Sequence, residues 1–91
     1  MSKRTVLVTG ATGGLGTAMC KKLYKDGFNV VGNYHTKEKA DKWMEQMKSE
    51  GFNIKLFYGD VSDFDSAADM IKKIEAEVGP IDTLVNNAGI T

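Results

Sequence analysis

The hydrophobic positions change their period several times along the chain. Arg4-Thr5-Val6-Leu7-Val8-Thr9 is a short β-branched run, the reading of a strand buried on both faces. A glycine-rich turn follows, Gly10-Ala11-Thr12-Gly13-Gly14-Leu15-Gly16. Leu15, Ala18, Met19 and Leu23 then recur at helical spacing, predicting a helix with these four on its inner face and Gly27 as its stop. Phe28 to Asn33 reads as a second strand. Thr36 is placed to cap a second helix, with Ala40, Trp43, Met44 and Met47 inward and Lys37, Glu38, Asp41, Lys42, Glu45 and Lys48 outward. Gly51 would end it, and Asn53 to Tyr58 gives a third strand. Ser62 or Asp63 can cap a third helix whose inner face reads Phe64, Ala67, Ile71, Ile74 and Val78. Gly79-Pro80 stops it, and Ile81 to Asn86 is a fourth strand.

Strict alternation of strands with helices long enough for crossovers implies an α/β protein with a parallel sheet. Right-handed crossovers put the first two helices on one sheet face. The third crossover reverses direction and sets the fourth strand beside the first. The expected strand order is 3-2-1-4, in a three-layer αβα arrangement with one face under-covered, because one helix cannot cover four strands. The fourth strand would then be an open edge lined by Leu84 and Val85.

Composition narrows the function classes. Of 91 residues 42% are hydrophobic and 26% charged, an ordinary globular balance for one small domain. Ten glycines with a single proline exclude collagen-like, mucin-like and disordered chains. Cys20 and His35 are the only residues of their kinds, which excludes a disulfide framework and argues against a metal site. Twelve basic residues against twelve acidic ones leave no net charge, so no electrostatic footprint points to nucleic acid. The basic start Met-Ser-Lys-Arg is followed by only Val6-Leu7-Val8, short of the apolar core of a signal peptide. No stretch approaches the ~20 apolar residues of a membrane span. The expectation is a cytoplasmic, reduced, soluble protein.

The chemistry concentrates in Thr9-Gly10-x-x-x-Gly14-x-Gly16 between the first strand and the first helix. Gly10 lets the chain turn sharply as it leaves the strand. Gly14, lacking a Cβ, lets a pyrophosphate approach the backbone, and Gly16 lets the helix pack closely on the sheet. The helix N-terminus then offers N–H groups and a partial positive charge to an anion. A strand before and a helix after favour dinucleotide binding over a purely connecting turn. The rival nucleotide-hydrolysing loop needs Gly-Lys-Ser/Thr, whereas Gly16 is followed by Thr17-Ala18.

Three segments in order resemble the short-chain dehydrogenase/reductase family. Thr9 to Gly16 is similar to its cofactor motif, Gly59-Asp60-Val61-Ser62-Asp63 to its adenine-contacting turn, and Asn86-Asn87-Ala88-Gly89 to the motif ending its fourth strand. The resemblance covers the whole chain and implies a Rossmann-type domain, of which residues 1–91 would be the N-terminal part. It assigns Gly10, Thr12, Gly13, Gly14, Leu15 and Gly16 to the diphosphate turn. Asp60 would accept a hydrogen bond from the adenine amino group, with the Val61 backbone completing the edge. A helix-capping role is the alternative for Asp60. Asn87, Ala88 and Gly89 would line the adenine-ribose side, while Asn86 could tie neighbouring strands.

The end of the second strand bears on the cofactor. Gly32-Asn33-Tyr34-His35-Thr36-Lys37 holds no acid to bind a ribose 2′-hydroxyl. His35, Thr36 and Lys37, with Lys39, could instead meet a 2′-phosphate, favouring NADP(H) over NAD(H), and Asn33 is a further cofactor-binding candidate. Many NADP-using relatives place a basic residue inside the glycine turn, where this chain has Gly13. For Lys37 and Lys39 the bland reading is a solvated helix face. Trp43, Met44 and Met47 read as core, and Cys20 as a buried inert thiol.

Family catalysis uses an Asn, a Ser and a Tyr-x-x-x-Lys pair, all after the Asn-Asn-Ala-Gly motif. Here Tyr24, Tyr34 and Tyr58 are followed four positions later by Phe28, Glu38 and Ser62, so no residue receives a catalytic role. The expectation is the cofactor half of a longer reductase, often a homotetramer in this family. Within the family Gly16 to Cys20, Lys25 to Phe28, Lys42 to Gln46 and Asn86 to Thr91 are most similar to acetoacetyl-CoA reductases of the polyhydroxyalkanoate (polyhydroxybutyrate) pathway. The substrate would be an acyl thioester reduced to the 3-hydroxyacyl form, such as 3-hydroxybutyryl-CoA. A 3-oxoacyl-carrier-protein reductase and a stand-alone nucleotide-binding module remain alternatives.

Overall fold

A computed structural model describes residues 4–86. Seven elements alternate: β1 (Thr5–Val8), α1 (Gly14–Lys25), β2 (Asn29–Tyr34), α2 (Lys37–Ser49), β3 (Lys55–Tyr58), α3 (Phe64–Glu77) and β4 (Thr83–Val85). The strands form one sheet in the order β3-β2-β1-β4, every pair parallel. The Rossmann-type topology expected from the sequence is therefore present. The strands differ from expectation by one or two residues at their ends, where the chain leaves the ladder for turns. Thr9 lies just past β1, yet its N–H still donates to Val85 O at 3.0 Å.

Side chains along a strand alternate between faces, and the two faces are filled by different helices. Val6, Val8 and Val30 pack with Cys20 of α1 and Trp43 and Met47 of α2. Leu7, Val31 and Phe57 pack on the other side with Met70 and Ile74 of α3. Two helices over one face and one over the other leave β4 thinly covered, and Leu84 is 58% exposed. Asp82 fastens this edge at its start: the Thr5 N–H donates to Asp82 Oδ2 at 2.8 Å and the Asp82 N–H to Thr5 O at 2.9 Å.

The inner face of α2 follows the sequence reading, with Ala40, Trp43 and Met47 buried. That of α1 follows it only in part, with Leu23 packed against the core. Gly16 and Cys20 are its buried residues, while Leu15 and Ala18 are exposed. Gly16 is buried but carries no hydrophobic signal, so the face it shares with Cys20 is only partly visible in the periodicity. In α3 the buried pair is Met70 and Ile74, and Phe64 and Ile71 face outward. Asp63 caps α3, accepting from the N–H groups of Asp65 and Ser66. Thr36 holds the N-cap position of α2 in extended conformation but makes no side-chain cap hydrogen bond. No helix among the described residues is long and apolar enough to cross a membrane.

Candidate functional site

The carboxyl ends of β1, β2 and β3 open on a shared cleft of about 350 Å³. Gly10 and Thr12 line it from the turn after β1. Asn33 to Thr36 and Lys39 line it from the β2–α2 junction, and Gly59 to Ser62 from the β3–α3 turn. Lys37 is exposed but is not part of this lining. Gly13, Gly14 and Leu15 are exposed at the start of α1, and Gly16 is buried. Asn87, Ala88 and Gly89 lie outside the described residues.

Gly10 has φ 63°, a conformation that side chains with a Cβ rarely adopt, and it turns the chain off β1. The turn is then held against β2. The Ala11 N–H donates to Asn33 O at 3.2 Å, and the Gly10 N–H donates to Asn33 Oδ1 at 3.1 Å. Asn33 Nδ2 donates to Gly59 O at 2.7 Å. One buried amide thus ties the turns after β1 and β3 to the end of β2, and the polar groups it uses are paired with main chain. Gly32 permits the close approach, since a Cβ there would lie 2.7 Å from Ala11 Cβ.

Gly13 and Gly14 are different. Gly13 has an ordinary φ of −77°, and a Cβ on it would meet only Gly10 O at 3.6 Å. A Cβ on Gly14 would meet nothing within 4 Å. Neither packing nor strain within the described residues requires glycine at either position. The space a Cβ would fill lies beside the start of α1. That helix has no side-chain cap hydrogen bond and no acid in its first turn. Bare backbone at the positive end of a helix dipole suits an anion, a diphosphate above all.

Asp60 occupies the opposite wall. Its Oδ1 accepts from the Ser62 hydroxyl at 2.6 Å and the Ser62 N–H at 3.0 Å. The Ser62 hydroxyl, then the Ser62 N–H, hold its pKa below the ordinary carboxylate value. Asp60 Oδ2 lies 3.8 Å from His35 Nε2, and the His35 ring stacks against Tyr58 with centroids 6.2 Å apart. The Asp60 N–H donates to Ser66 Oγ at 2.9 Å. Because Asp63 caps α3, the Asp60 carboxylate is not consumed in that role. Asn86 Oδ1 accepts from Thr9 Oγ1 at 3.2 Å, linking the ends of β1 and β4.

Sequence reasoning missed the residues that hold these walls. Gly32 carried a signal, since an isolated glycine in a strand pattern suggests a close backbone approach. Ser66, Thr17 and Trp43 carried none, because their partners are distant in sequence or reached only through the fold.

The comparisons follow the geometry. The family model described as short chain dehydrogenase matches residues 4–91. The nodulation protein G of Azospirillum brasilense is 53% identical over 92 residues, covering 100% of this chain and 37% of its own. The acetoacetyl-CoA reductase of Allochromatium vinosum is 51% identical over 90 residues, covering 97% of this chain and 37% of its own. Among solved structures, a gluconate 5-dehydrogenase from Burkholderia cenocepacia in complex with NADP and tartrate superposes with a TM-score of 0.78 at 31% identity. It covers 92% of this chain and 33% of that one. The chain thus spans 37% of the length of these curated relatives.

Proposed function

The chain belongs to the short chain dehydrogenase family, and from that premise we propose that it is the cofactor-binding part of an NADP(H)-dependent reductase of 3-oxoacyl thioesters. The observation that carries the reading is the cleft at the carboxyl ends of β1, β2 and β3, walled by Gly10 and Thr12 of the glycine turn and by Asp60, with the bare Gly13-Gly14 backbone next in the same turn. A parallel α/β sheet presents its ligand site at this end. The glycine turn and the first turn of α1 would hold the diphosphate. Asp60, kept ionised by Ser62, would accept from the adenine amino group, with Val61 beside it. When bound, the nicotinamide cofactor supplies a hydride to the 3-keto carbon.

Preference for NADP(H) rests on the β2–α2 junction. No carboxylate stands at the end of β2 to take a ribose 2′-hydroxyl, and Asn33 spends its amide on main chain. His35, Thr36 and Lys39 border the cleft instead, and a 2′-phosphate between them would meet one fixed cation, a hydroxyl and an imidazole. The NADP-bound gluconate 5-dehydrogenase supports the same reading at the level of fold. Acetoacetyl-CoA as substrate rests on similarity to the Allochromatium enzyme.

Isothermal titration of this chain with NADP+ and NAD+ tests the cofactor, and acetoacetyl-CoA-dependent oxidation of NADPH by the whole reductase, which would carry the Ser and Tyr-Lys groups, tests the reaction. Tighter NADP+ than NAD+ binding and thioester-dependent oxidation are expected. Equal affinities would remove the 2′-phosphate assignment, and no binding of either would remove the reading altogether.

A further inference from the structure

The geometry points to Trp43 and Thr17 as positioning residues that aim the diphosphate-binding backbone, an inference that rests on the cofactor reading above. Trp43 is buried in the α2 face that packs on the sheet, and its indole Nε1 donates to Thr17 Oγ1 at 2.8 Å. An indole N–H can only donate, so the Thr17 oxygen must accept here. The single hydroxyl hydrogen of Thr17 is then left for a carbonyl. Two are in reach, Gly13 O at 2.6 Å and Ala11 O at 3.1 Å, both in the glycine turn. The Thr17 N–H also donates to Gly13 O at 2.8 Å.

The Gly13 carbonyl is therefore gripped from inside the helix. In a planar trans peptide the C=O and the following N–H point in opposite directions. Fixing the Gly13 carbonyl along α1 fixes the Gly14 N–H in the opposite sense, out of the N-terminal end of the helix, and Gly14 places no side chain beside it. Trp43 thereby sets from a neighbouring helix the direction of a donor it never touches. The same α2 helix begins beside Thr36 and carries Lys39, both on the cleft. One rigid element thus positions both the diphosphate turn and the junction given to the 2′-phosphate.

Trp43→Phe keeps a six-membered aromatic ring and removes the donor together with the pyrrole half of the indole. Thr17→Val keeps the shape and removes the hydroxyl, and Thr17→Ser restores it. Isothermal titration of the full chain uses two probes, NADP+ and 2′-AMP, which carries adenine and a 2′-phosphate without the bridging diphosphate. Trp43→Phe and Thr17→Val are each expected to raise the NADP+ Kd about three- to tenfold, the loss of one neutral hydrogen bond. Thr17→Ser should stay within about twofold of the parent, and 2′-AMP affinity should move by less than about twofold in all three. Unchanged NADP+ affinity in both folded variants, with the parent binding normally, overturns the positioning role and leaves the cofactor reading standing. Equal weakening of NADP+ and 2′-AMP also overturns it, since that is general loosening of α2. A parent that binds neither probe overturns both.

Discussion

Substituting Gly32 by alanine tests how the glycine turn is seated. Gly32 lies in the central strand β2, paired with Val8 on one side and Leu56 on the other. An added Cβ would stand 2.7 Å from both Ala11 Cβ and Leu56 Cδ2. Carbon atoms rest at about 3.5–4.0 Å, so each contact is short by about an ångström. Leu56 can swing its terminal methyl aside. Ala11 cannot, because its Cβ is fixed to main chain that is hydrogen-bonded to Asn33 O. Overpacking of this kind costs about 1–3 kcal/mol, and the stiffer unfolded chain returns about 0.4–1 kcal/mol. The net expectation is a loss of roughly 1–2 kcal/mol, together with weaker NADP+ binding because Ala11 must carry the turn with it. Urea unfolding followed by circular dichroism measures the first and isothermal titration the second. Pairing Gly32→Ala with Ala11→Gly removes the rigid half of the clash. The double variant should be more stable than the sum of the two single losses by about 1 kcal/mol or more. Additive losses, or a Gly32→Ala variant as stable as the parent, would refute the close-approach argument.

Four further outcomes follow from other parts of the structure. Asp63→Ala removes acceptors for the Asp65 and Ser66 N–H groups and should cost about 0.5–2 kcal/mol by chemical unfolding. Asp60 has its pKa lowered by Ser62, so the stabilisation it contributes is present above the ordinary carboxylate pKa and is lost as pH falls through the lowered folded value. Ser62→Ala should raise the Asp60 titration midpoint followed by NMR, and an unmoved midpoint would contradict the assigned cause. Burial pushes the Cys20 thiol pKa to about 12, so native protein at mildly alkaline pH should resist thiol reagents until denatured. Lys39→Ala should raise the NADP+ Kd relative to NAD+ more than Lys37→Ala does, because Lys39 and not Lys37 lines the cleft.

The strand order was legible because alternation requires parallel crossovers, handedness chooses their faces, and a reversed third crossover sets β4 beside β1. The stripe of α2 was legible because Ala40, Trp43 and Met47 are all apolar and all inward. In α1 the buried positions are Gly16, which has no side chain to count, and Cys20; Leu23 of the expected stripe packs against the core, while Leu15 is exposed. In α3 apolar residues occupy two faces. Met70 and Ile74 meet the sheet, while Phe64 and Ile71 remain exposed, as does Leu84 at the edge of β4. Periodicity alone cannot rank two such faces.

The site divides in the same way. Gly10, Gly14, Gly16 and Asp60 announce themselves by type and spacing, since backbone approach and carboxylate chemistry leave marks in the sequence. The bonds that seat them do not. Asn33 joins Gly10 and Gly59 across 23 and 26 positions, and Trp43 reaches Thr17 across 26. Such partners become neighbours only once parallel strands are in register.

The most direct test of the account is a titration of amide-labelled protein with NADP+, read by two-dimensional proton–nitrogen NMR. The account expects the largest shifts at the main-chain amides of Gly13, Gly14 and Leu15, with a second group at Asp60 to Ser62. Saturable binding that leaves those amides unmoved and perturbs a different surface would contradict it.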